Sequence, residues 1–245
     1  MISSAAPSLT NQRPVMFQSW LDLLFFHWQV PVGTIQQTLP DGLRVHTYEG
    51  RAFLSIVAFT MRGLRPRSLP AVGRISNFLE LNLRTYVVDE QGRPGVWFYS
   101  LDADSWISVE IARRFFHLPY EHARLAKRRS GDALGYHSHA RRDPDPEGLQ
   151  YRVDGIPDQG MAPASPESLA HFWVERYRLF AYDSRRKRLW SGAISHKPYD
   201  VVQVEPRQVD ARLMQINGFA QPASDLEAVY YSPGVHVSAY RFQRS

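Results

Sequence analysis

The feature that most constrains the fold is the alternating segment ISNFLELNLRTYVV at residues 75–88. One set of alternate positions is aliphatic or small, namely Leu79, Leu81, Leu83, Thr85 and Val87. The other set is mixed, namely Phe78, Glu80, Asn82, Arg84 and Tyr86. Because successive side chains of a strand point to opposite faces, this period of two predicts a β-strand. The turn at 89–92 and the apolar segment 96–101 then predict an antiparallel hairpin.

The remaining pattern predicts a sheet-rich chain with few helices. Strands are predicted at 20–30, 43–48, 51–61, 177–182, 188–195, 201–204, 228–231 and 235–242, with several more between 120 and 156. Helices are predicted at 31–39, at 105–116 after a cap at Asp104 or Ser105, and from Ser165 to Arg176. Since no repeat or long linker interrupts this pattern, we expect a flexible tail at 1–14 and one domain at 15–245.

The composition excludes several kinds of chemistry. The chain has no cysteine, which rules out disulfides, thiol nucleophiles and thiolate-held cofactors. Only three of its 29 basic residues are lysines, Lys127, Lys187 and Lys197, so an amine nucleophile has three candidates. The common sequence motifs of nucleotide-binding, zinc-protease and serine-hydrolase sites do not occur. We therefore expect no cofactor and no metal.

The same sequence indicates a cytoplasmic protein without a membrane partner. No segment approaches the ~20 apolar residues that a membrane span requires. Residues 1–14 lack the charged start and apolar centre of a secretory signal.

Two kinds of surface motif have an ordinary interpretation beside a functional one. His137 and His139 share one side of a predicted strand and could begin a metal site, but with no third ligand nearby we favour an exposed pair. Basic clusters occur at 127–129, 141–142 and 185–188. They could bind nucleic acid, but aromatic residues do not interleave with them, so we favour solvated loop charges.

The mixed face of the 75–88 strand is the candidate site. A solvent-facing strand would have a similar pattern, but here aromatic residues flank the charges and the partner strand is apolar on both faces. If the hairpin is covered on both sides, Glu80 and Arg84 must be paired and hydrogen-bonded, because isolated buried charges are costly. An enclosed carboxylate beside an arginine indicates a binding site.

Seven segments also carry a family resemblance: WLDLLFFHWQVP (20–31), FLELNLRTYV (78–87), GVWFYSLDADS (95–105), ARRFFHLPYEHA (112–123), ERYRLF (175–180), ISHKPYD (194–200) and YYSPGVHV (230–237). Together they resemble the YqjF-like family of bacterial proteins, which looks like a distant branch of the acetoacetate decarboxylase superfamily. The resemblance implies a β-rich α+β fold, a single-domain antiparallel β-barrel or cone of the acetoacetate decarboxylase-like type with a few outer helices.

The resemblance also implies where the chemistry lies. In acetoacetate decarboxylases a strand glutamate faces the interior of the cone, and Glu80 is similar to it. Their reactive lysine follows a proline after a helix, whereas here Pro119 is followed by Tyr120, which cannot form a Schiff base. We expect Lys127 and Lys187 to be solvated within charged runs.

The segment 194–198 offers one more candidate for the interior. If Lys197 lies exposed at a strand end, the alternation turns His196 inward, where it could act as an acid or base or be a satisfied polar group.

The leading hypothesis is a pocket protein that binds a small anionic or carbonyl-bearing metabolite, with or without a reaction that needs no Schiff base. Candidate catalytic residues are Glu80, Arg84 and His196, and candidate ligand-binding residues are Asn82, Tyr86, Trp97, Phe98 and Tyr120. Arg84 would hold a carboxylate and Glu80 would act as hydrogen-bond partner or general base. The alternatives are a non-catalytic sensing module and a basic nucleic-acid-binding protein, and the oligomeric state stays open.

Overall fold

Strand pairing closes much of the chain into a ring. The computed structural model describes residues 12–140, 143 and 145–245. Its strands are β1 Met16–Val30, β2 Leu43–Val45, β3 Ala52–Pro66, β4 Phe78–Asp89, β5 Pro94–Ala103, β6 Tyr120–Ser130, β7 Ala133–Ala140, β8 Leu149–Asp154, β9 Ala162–Pro163, β10 Arg178–Asp183, β11 Arg188–Ser195, β12 Asp200–Gln203, β13 Glu205–Val209, β14 Leu226–Ala239 and β15 Gln243–Arg244. Strand β5 pairs with β4 on one side and with β10 on the other, which closes the order β5-β10-β11-β14-β1-β3-β4.

The helices of the described residues are short and lie between the strands. They are α1 Val32–Gln36, α2 Gly73–Ser76, α3 Trp106–Phe116, α4 Leu169–Val174 and α5 Arg212–Ile216. None of them is long and apolar enough to cross a membrane. The sheet-rich fold with a few helices agrees with the prediction, and the expected hairpin is the antiparallel pair of β4 and β5.

Two helix predictions need correction. The helix predicted from Ser165 to Arg176 begins only at Leu169. Residues 165–168 form a tight turn, in which the carbonyl of Ser165 accepts from the backbone N–H of Ser168 and Glu167 has a left-handed φ of 67°. Ser168 is the actual cap, and its Oγ accepts a hydrogen bond from the backbone N–H of His171 at 3.1 Å. The helix predicted at 31–39 is only the five residues of α1.

Helix α3 begins after its predicted cap, but its apolar spacing misleads. Ser105 Oγ accepts a hydrogen bond from the backbone N–H of Ser108 at 3.4 Å. Ile107 and Ile111, which recur at helical spacing, are exposed, whereas Ser108 and Val109 are buried. The side of α3 that packs against the protein is therefore the side with Val109, and not the side with the two isoleucines.

The two faces of the sheet are both covered. On one face, residues of β1, β3 and β4 pack against β7, β8 and α5 in a large apolar core. The other face carries Glu80 and Arg84 and packs against α4 and the segment 196–201. We call this second surface the Glu80 face. The double coverage confirms that both faces of the β4–β5 hairpin are enclosed.

Candidate functional site

Glu80 lies at the centre of a polar cluster on the Glu80 face. Its side chain is 3% exposed and accepts a hydrogen bond from the hydroxyl of Tyr120 at 2.9 Å and from the amide of Asn82 at 3.3 Å. Burial raises the pKa of Glu80 to about 7, with a smaller contribution from the nearby Asp102, and the two hydrogen bonds oppose that rise. A carboxyl group with a pKa near neutrality can both donate and accept a proton in the cell.

Tyr120 reaches Glu80 because β6 runs parallel to β5. The first residue of β6, Tyr120, pairs with Leu101 of β5, which in turn pairs with Asn82 of β4. Burial and the adjacent Glu80 raise the pKa of Tyr120 well above its ordinary value, so its hydroxyl stays protonated and donates.

Arg84 lies on the same face but does not pair with Glu80. Its side chain is 9% exposed, and its Nη2 donates to the backbone carbonyl of Trp173 at 3.3 Å. The guanidinium lies over the rings of Phe25 and Tyr86, and its Nε is buried without a hydrogen-bond partner. The expected Glu80–Arg84 pair is therefore wrong, since residues four apart on an extended strand are roughly 13 Å apart along the backbone.

His27 occupies the same cross-strand row as Arg84. Ser55 pairs with Arg84 on one side and with His27 on the other, so the three side chains share the Glu80 face. The imidazole of His27 is fully buried and stacks on Trp173 with ring centroids 4.3 Å apart. Burial and the charge of Arg84 lower the pKa of His27 well below its ordinary value, so the ring is neutral.

Arg176 is a second buried guanidinium that the sequence reasoning did not single out. It is 4% exposed, follows α4, and donates from Nε to the carbonyl of Phe172 at 2.7 Å. Its Nη1 contacts Nδ1 of His46 at 2.9 Å, and its Cζ lies 4.9 Å from the ring centroid of Tyr86. Burial and the nearby Arg176 lower the pKa of His46 to about 4. In the sequence Arg176 stands between Glu175 and Tyr177 in ERYRLF, a segment that entered the sequence analysis only through the family resemblance.

Of the two aromatic candidate residues in β5, only Phe98 lies on the Glu80 face. Phe98 pairs with Arg84 and packs with the Glu80-face core. Trp97 pairs with Thr85 and packs beside Phe180 on the opposite face. A bulge at Tyr99 decides which of the two side chains lies on the Glu80 face. Leu83 pairs with Ser100 and Arg84 pairs with Phe98, so the register shifts by one residue between them.

His196 borders the cluster rather than contacting Glu80. Its ring stacks on Tyr177 and tilts against Tyr199, each with centroids 4.7 Å away. Tyr199 packs edge-on against Phe25, over which Arg84 lies. Burial lowers the pKa of His196, so the ring is mainly neutral at pH 7. The side chain is half-buried as the alternation indicated, and the neighbouring Lys197 is exposed as expected.

The other two lysines also lie away from the Glu80 face. Lys187 is exposed in the turn between β10 and β11. The expectation that Lys127 is solvated is wrong, because its side chain is only 25% exposed and its ammonium binds Asp22 at 2.8 Å and Thr60 at 2.9 Å. Thr60 pairs with Leu79 on the opposite face of the sheet. All three amines are thus separated from Glu80.

Residues of the two surface motifs make contacts within the chain. His137 and His139 contact each other with ring centroids 4.3 Å apart, and in the described part of the chain no three His, Asp or Glu side chains form a metal-binding group. Arg129 pairs with Asp22 at 2.7 Å, and Arg186 pairs with Asp183 at 3.1 Å. The 141–142 cluster lies outside the described residues.

Several buried polar atoms on the Glu80 face have no hydrogen-bond partner within the protein. They belong to His27, Ser55, Asn82, Arg84, Tyr86, Trp173 and Arg176. Buried polar groups are normally hydrogen-bonded, and leaving one without a partner costs about 1–3 kcal/mol. Their concentration on one face indicates a surface that a polar ligand would satisfy.

Comparison with known proteins places this chain in a family. The model of the DUF2071 family, described as "Uncharacterized conserved protein", matches residues 17–236. The protein YqjF of Bacillus subtilis (strain 168) is 37% identical over 211 residues, which cover 86% of this chain and 85% of YqjF. The resemblance drawn from the seven segments is confirmed.

Solved structures of acetoacetate decarboxylase-like proteins share the fold. The acetoacetate decarboxylase of Legionella pneumophila superposes with a TM-score of 0.68 at 10% identity, over 98% of this chain and 91% of that chain. An acetoacetate decarboxylase-like enzyme from Sphingomonas wittichii RW1 has a TM-score of 0.62 at 14% identity, over 95% and 94%. The enduracididine biosynthesis enzyme MppR complexed with pyruvate has a TM-score of 0.62 at 12% identity, over 96% and 91%. The chain therefore belongs to the DUF2071 family and has the acetoacetate decarboxylase-like fold.

Proposed function

We propose that this protein binds a small metabolite with a carboxylate and a carbonyl group on the Glu80 face, and that Glu80 exchanges a proton with it. One observation carries the proposal. A buried glutamate whose pKa is raised to about 7 shares a face with a buried arginine that is held by a carbonyl instead of a carboxylate.

Arg84 is the binding group of the proposal. The backbone carbonyl of Trp173 carries no net charge, so it accepts a hydrogen bond from Arg84 without neutralising the positive charge of the guanidinium. A ligand carboxylate would supply the missing anion and would accept hydrogen bonds from the planar fork of N–H donors. Phe25, Tyr86 and Phe98 provide the apolar surroundings in which such a bond is strong.

Glu80 is the proton-transfer group. With a pKa near 7 it populates its acid and base forms about equally at neutral pH, which is the condition for efficient general acid–base catalysis. Tyr120 donates to one carboxylate oxygen and Asn82 to the other, so the side chain is held in one orientation. The reaction class that these groups support is removal of a proton next to a carbonyl.

The proposal excludes an amine mechanism. Tyr120 contacts Glu80 at the position where the resemblance implies a lysine, and the lysines of this chain lie elsewhere. The step is therefore a direct proton transfer: the C–H bond breaks, its proton moves to Glu80, and the electron pair passes to the carbonyl oxygen.

The test is deuterium exchange into a 2-oxo acid. Pyruvate is the first probe, since a fold neighbour is described as complexed with it. In D2O at pD 7.5 we expect the native protein to bind pyruvate and to exchange its methyl protons faster than buffer does, as followed by proton NMR. Glu80→Gln should bind pyruvate with an affinity within threefold of the native protein, and its rate of methyl proton exchange should be at least 100-fold lower. Glu90→Gln, which changes an exposed turn residue, is the matched control.

The outcomes separate catalysis from binding. If pyruvate and acetoacetate bind in calorimetry but neither exchanges, the protein is a binding module and the role given to Glu80 is wrong. If Arg84→Gln folds normally and binds both acids as tightly as the native protein, the binding site itself is misplaced.

Borohydride trapping tests the exclusion of an amine. We expect no covalent adduct after acetoacetate and borohydride are added to the native protein. Tyr120→Lys, which puts an amine beside Glu80, is the positive control for trapping. An adduct at Lys197 in the native protein would contradict the proposed step.

A further inference from the structure

The second buried arginine, Arg176, gives the Glu80 face a charge that the proposed function does not use. Arg84 and Arg176 are both more than nine-tenths buried. Both guanidiniums lie near the ring of Tyr86, with Cζ-to-centroid distances of 5.9 Å and 4.9 Å. Two cations thus share one small apolar region.

Backbone carbonyls, not carboxylates, hold these two cations. The end of α4 leaves carbonyls without helical partners, and those of Phe172 and Trp173 accept from Arg176 and Arg84 respectively. Among the described residues no carboxylate forms an ion pair with either guanidinium. Glu175, which precedes Arg176 in the sequence, accepts hydrogen bonds from the hydroxyl of Tyr177 and from the backbone N–H of Tyr199 instead.

Each guanidinium still has a buried nitrogen that makes no hydrogen bond, Nε of Arg84 and Nη2 of Arg176. Buried charges without a counter-charge are costly, so their retention indicates an anion from outside the chain. Burial and the charge of Arg84 lower the pKa of Arg176 to about 9. Arg176 therefore remains protonated at neutral pH.

We infer that the ligand of the Glu80 face is a small acid with two negative charges, bound by Arg84 and Arg176 together. A dicarboxylate and a phosphate dianion both have this chemistry. The inference rests on the proposed function, because it takes Arg84 as the anchor of the ligand. A monocarboxylate would neutralise only one of the two buried cations.

Butyrate and succinate form a matched pair for the test, since they have the same four-carbon chain and carry one and two carboxylates. Inorganic phosphate is the third probe. Calorimetry at pH 7.5 and constant ionic strength should show that the native protein binds succinate or phosphate at least tenfold more tightly than butyrate. Arg176→Gln should reduce this ratio to threefold or less and leave butyrate affinity within twofold, whereas Arg84→Gln should weaken all three acids.

Two further variants guard against misfolding. Arg176→Lys keeps the charge and should retain the preference for the double anion. Arg128→Gln removes an exposed arginine and should change nothing. The dichroism spectrum and unfolding midpoint of each variant show whether it is folded.

The possible failures are distinct. Equal affinity of the native protein for butyrate, succinate and phosphate would overturn the double-anion inference and leave the proposed function standing. A preference that survives in folded Arg176→Gln would overturn the role of Arg176. Failure of the native protein to bind any of these acids, or pyruvate, would overturn both proposals.

Discussion

Replacing Glu80 by glutamine should abolish a loss of stability that the native protein suffers at neutral and alkaline pH. Glutamine has the shape of the protonated glutamate and retains an oxygen that accepts from Tyr120. It does not ionise. The difference in unfolding free energy between Glu80→Gln and the native protein therefore isolates the cost of charging a buried carboxyl group.

The sign and size follow from the pKa. Burial raises the pKa of Glu80 from 4.5 to about 7, so the folded protein holds this proton more tightly than the unfolded chain does. The contribution is fully present below pH 4.5 and is lost as the pH rises through 7. At 1.36 kcal/mol per pH unit, the native protein should lose about 3 kcal/mol relative to Glu80→Gln between pH 4.5 and pH 8.

Urea unfolding at several pH values between 4.5 and 8.5, followed by tryptophan fluorescence, measures both free energies. Comparing two proteins at each pH cancels the titration of every other group. Glu90→Gln should run parallel to the native protein at every pH, because Glu90 is exposed. Parallel curves for Glu80→Gln and the native protein would refute the buried, proton-binding glutamate on which the proposed function depends.

Three further changes have defined outcomes. Tyr120→Phe removes a hydrogen bond that favours the charged form of Glu80, so the pKa of Glu80 should rise by about one unit, as measured by carbon NMR of labelled glutamate; an unchanged pKa would mean that this bond does not form. His46 has its pKa lowered to about 4, so the native protein should lose about 3 kcal/mol more than His46→Gln as the pH falls from 6.5 to 4, and equal losses in acid unfolding would contradict its burial. Gly234→Ala should destabilise by at least about 3 kcal/mol in urea unfolding, because a Cβ there would lie 2.2 Å from the carbonyl oxygen of Trp20 and φ is +133°; a loss below about 1 kcal/mol would show that β14 can shift.

The strand pattern of the sequence was sufficient to predict the β4–β5 hairpin and the shared face of Glu80, Asn82, Arg84 and Tyr86. Alternation is a local property with a period of two, and it survives whatever the rest of the chain does. The family resemblance added the ring of strands. Helix limits were less predictable, since the left-handed backbone of Glu167 delays α4.

The partners of the site residues could not be read from the chain. Tyr120 is 40 residues from Glu80, and Trp173 is 89 residues from Arg84. Such contacts depend on which strands become neighbours, and a pattern within one segment carries no information about that. The expected Glu80–Arg84 pair failed for a local reason instead, because four residues of extended strand separate the two side chains.

By itself the sequence determined a sheet-rich fold, a strand face that carries both a glutamate and an arginine, and the presence of only three lysine side chains. Tertiary structure alone decided that α4 presents two backbone carbonyls to Arg84 and Arg176. It also decided that the bulge in β5 places Phe98, and not Trp97, on the same face as Arg84. It also decided that burial gives Glu80 a pKa near 7. The physical reason is that side-chain type and periodicity are encoded locally, whereas burial, counter-charges and register arise only when distant segments pack together.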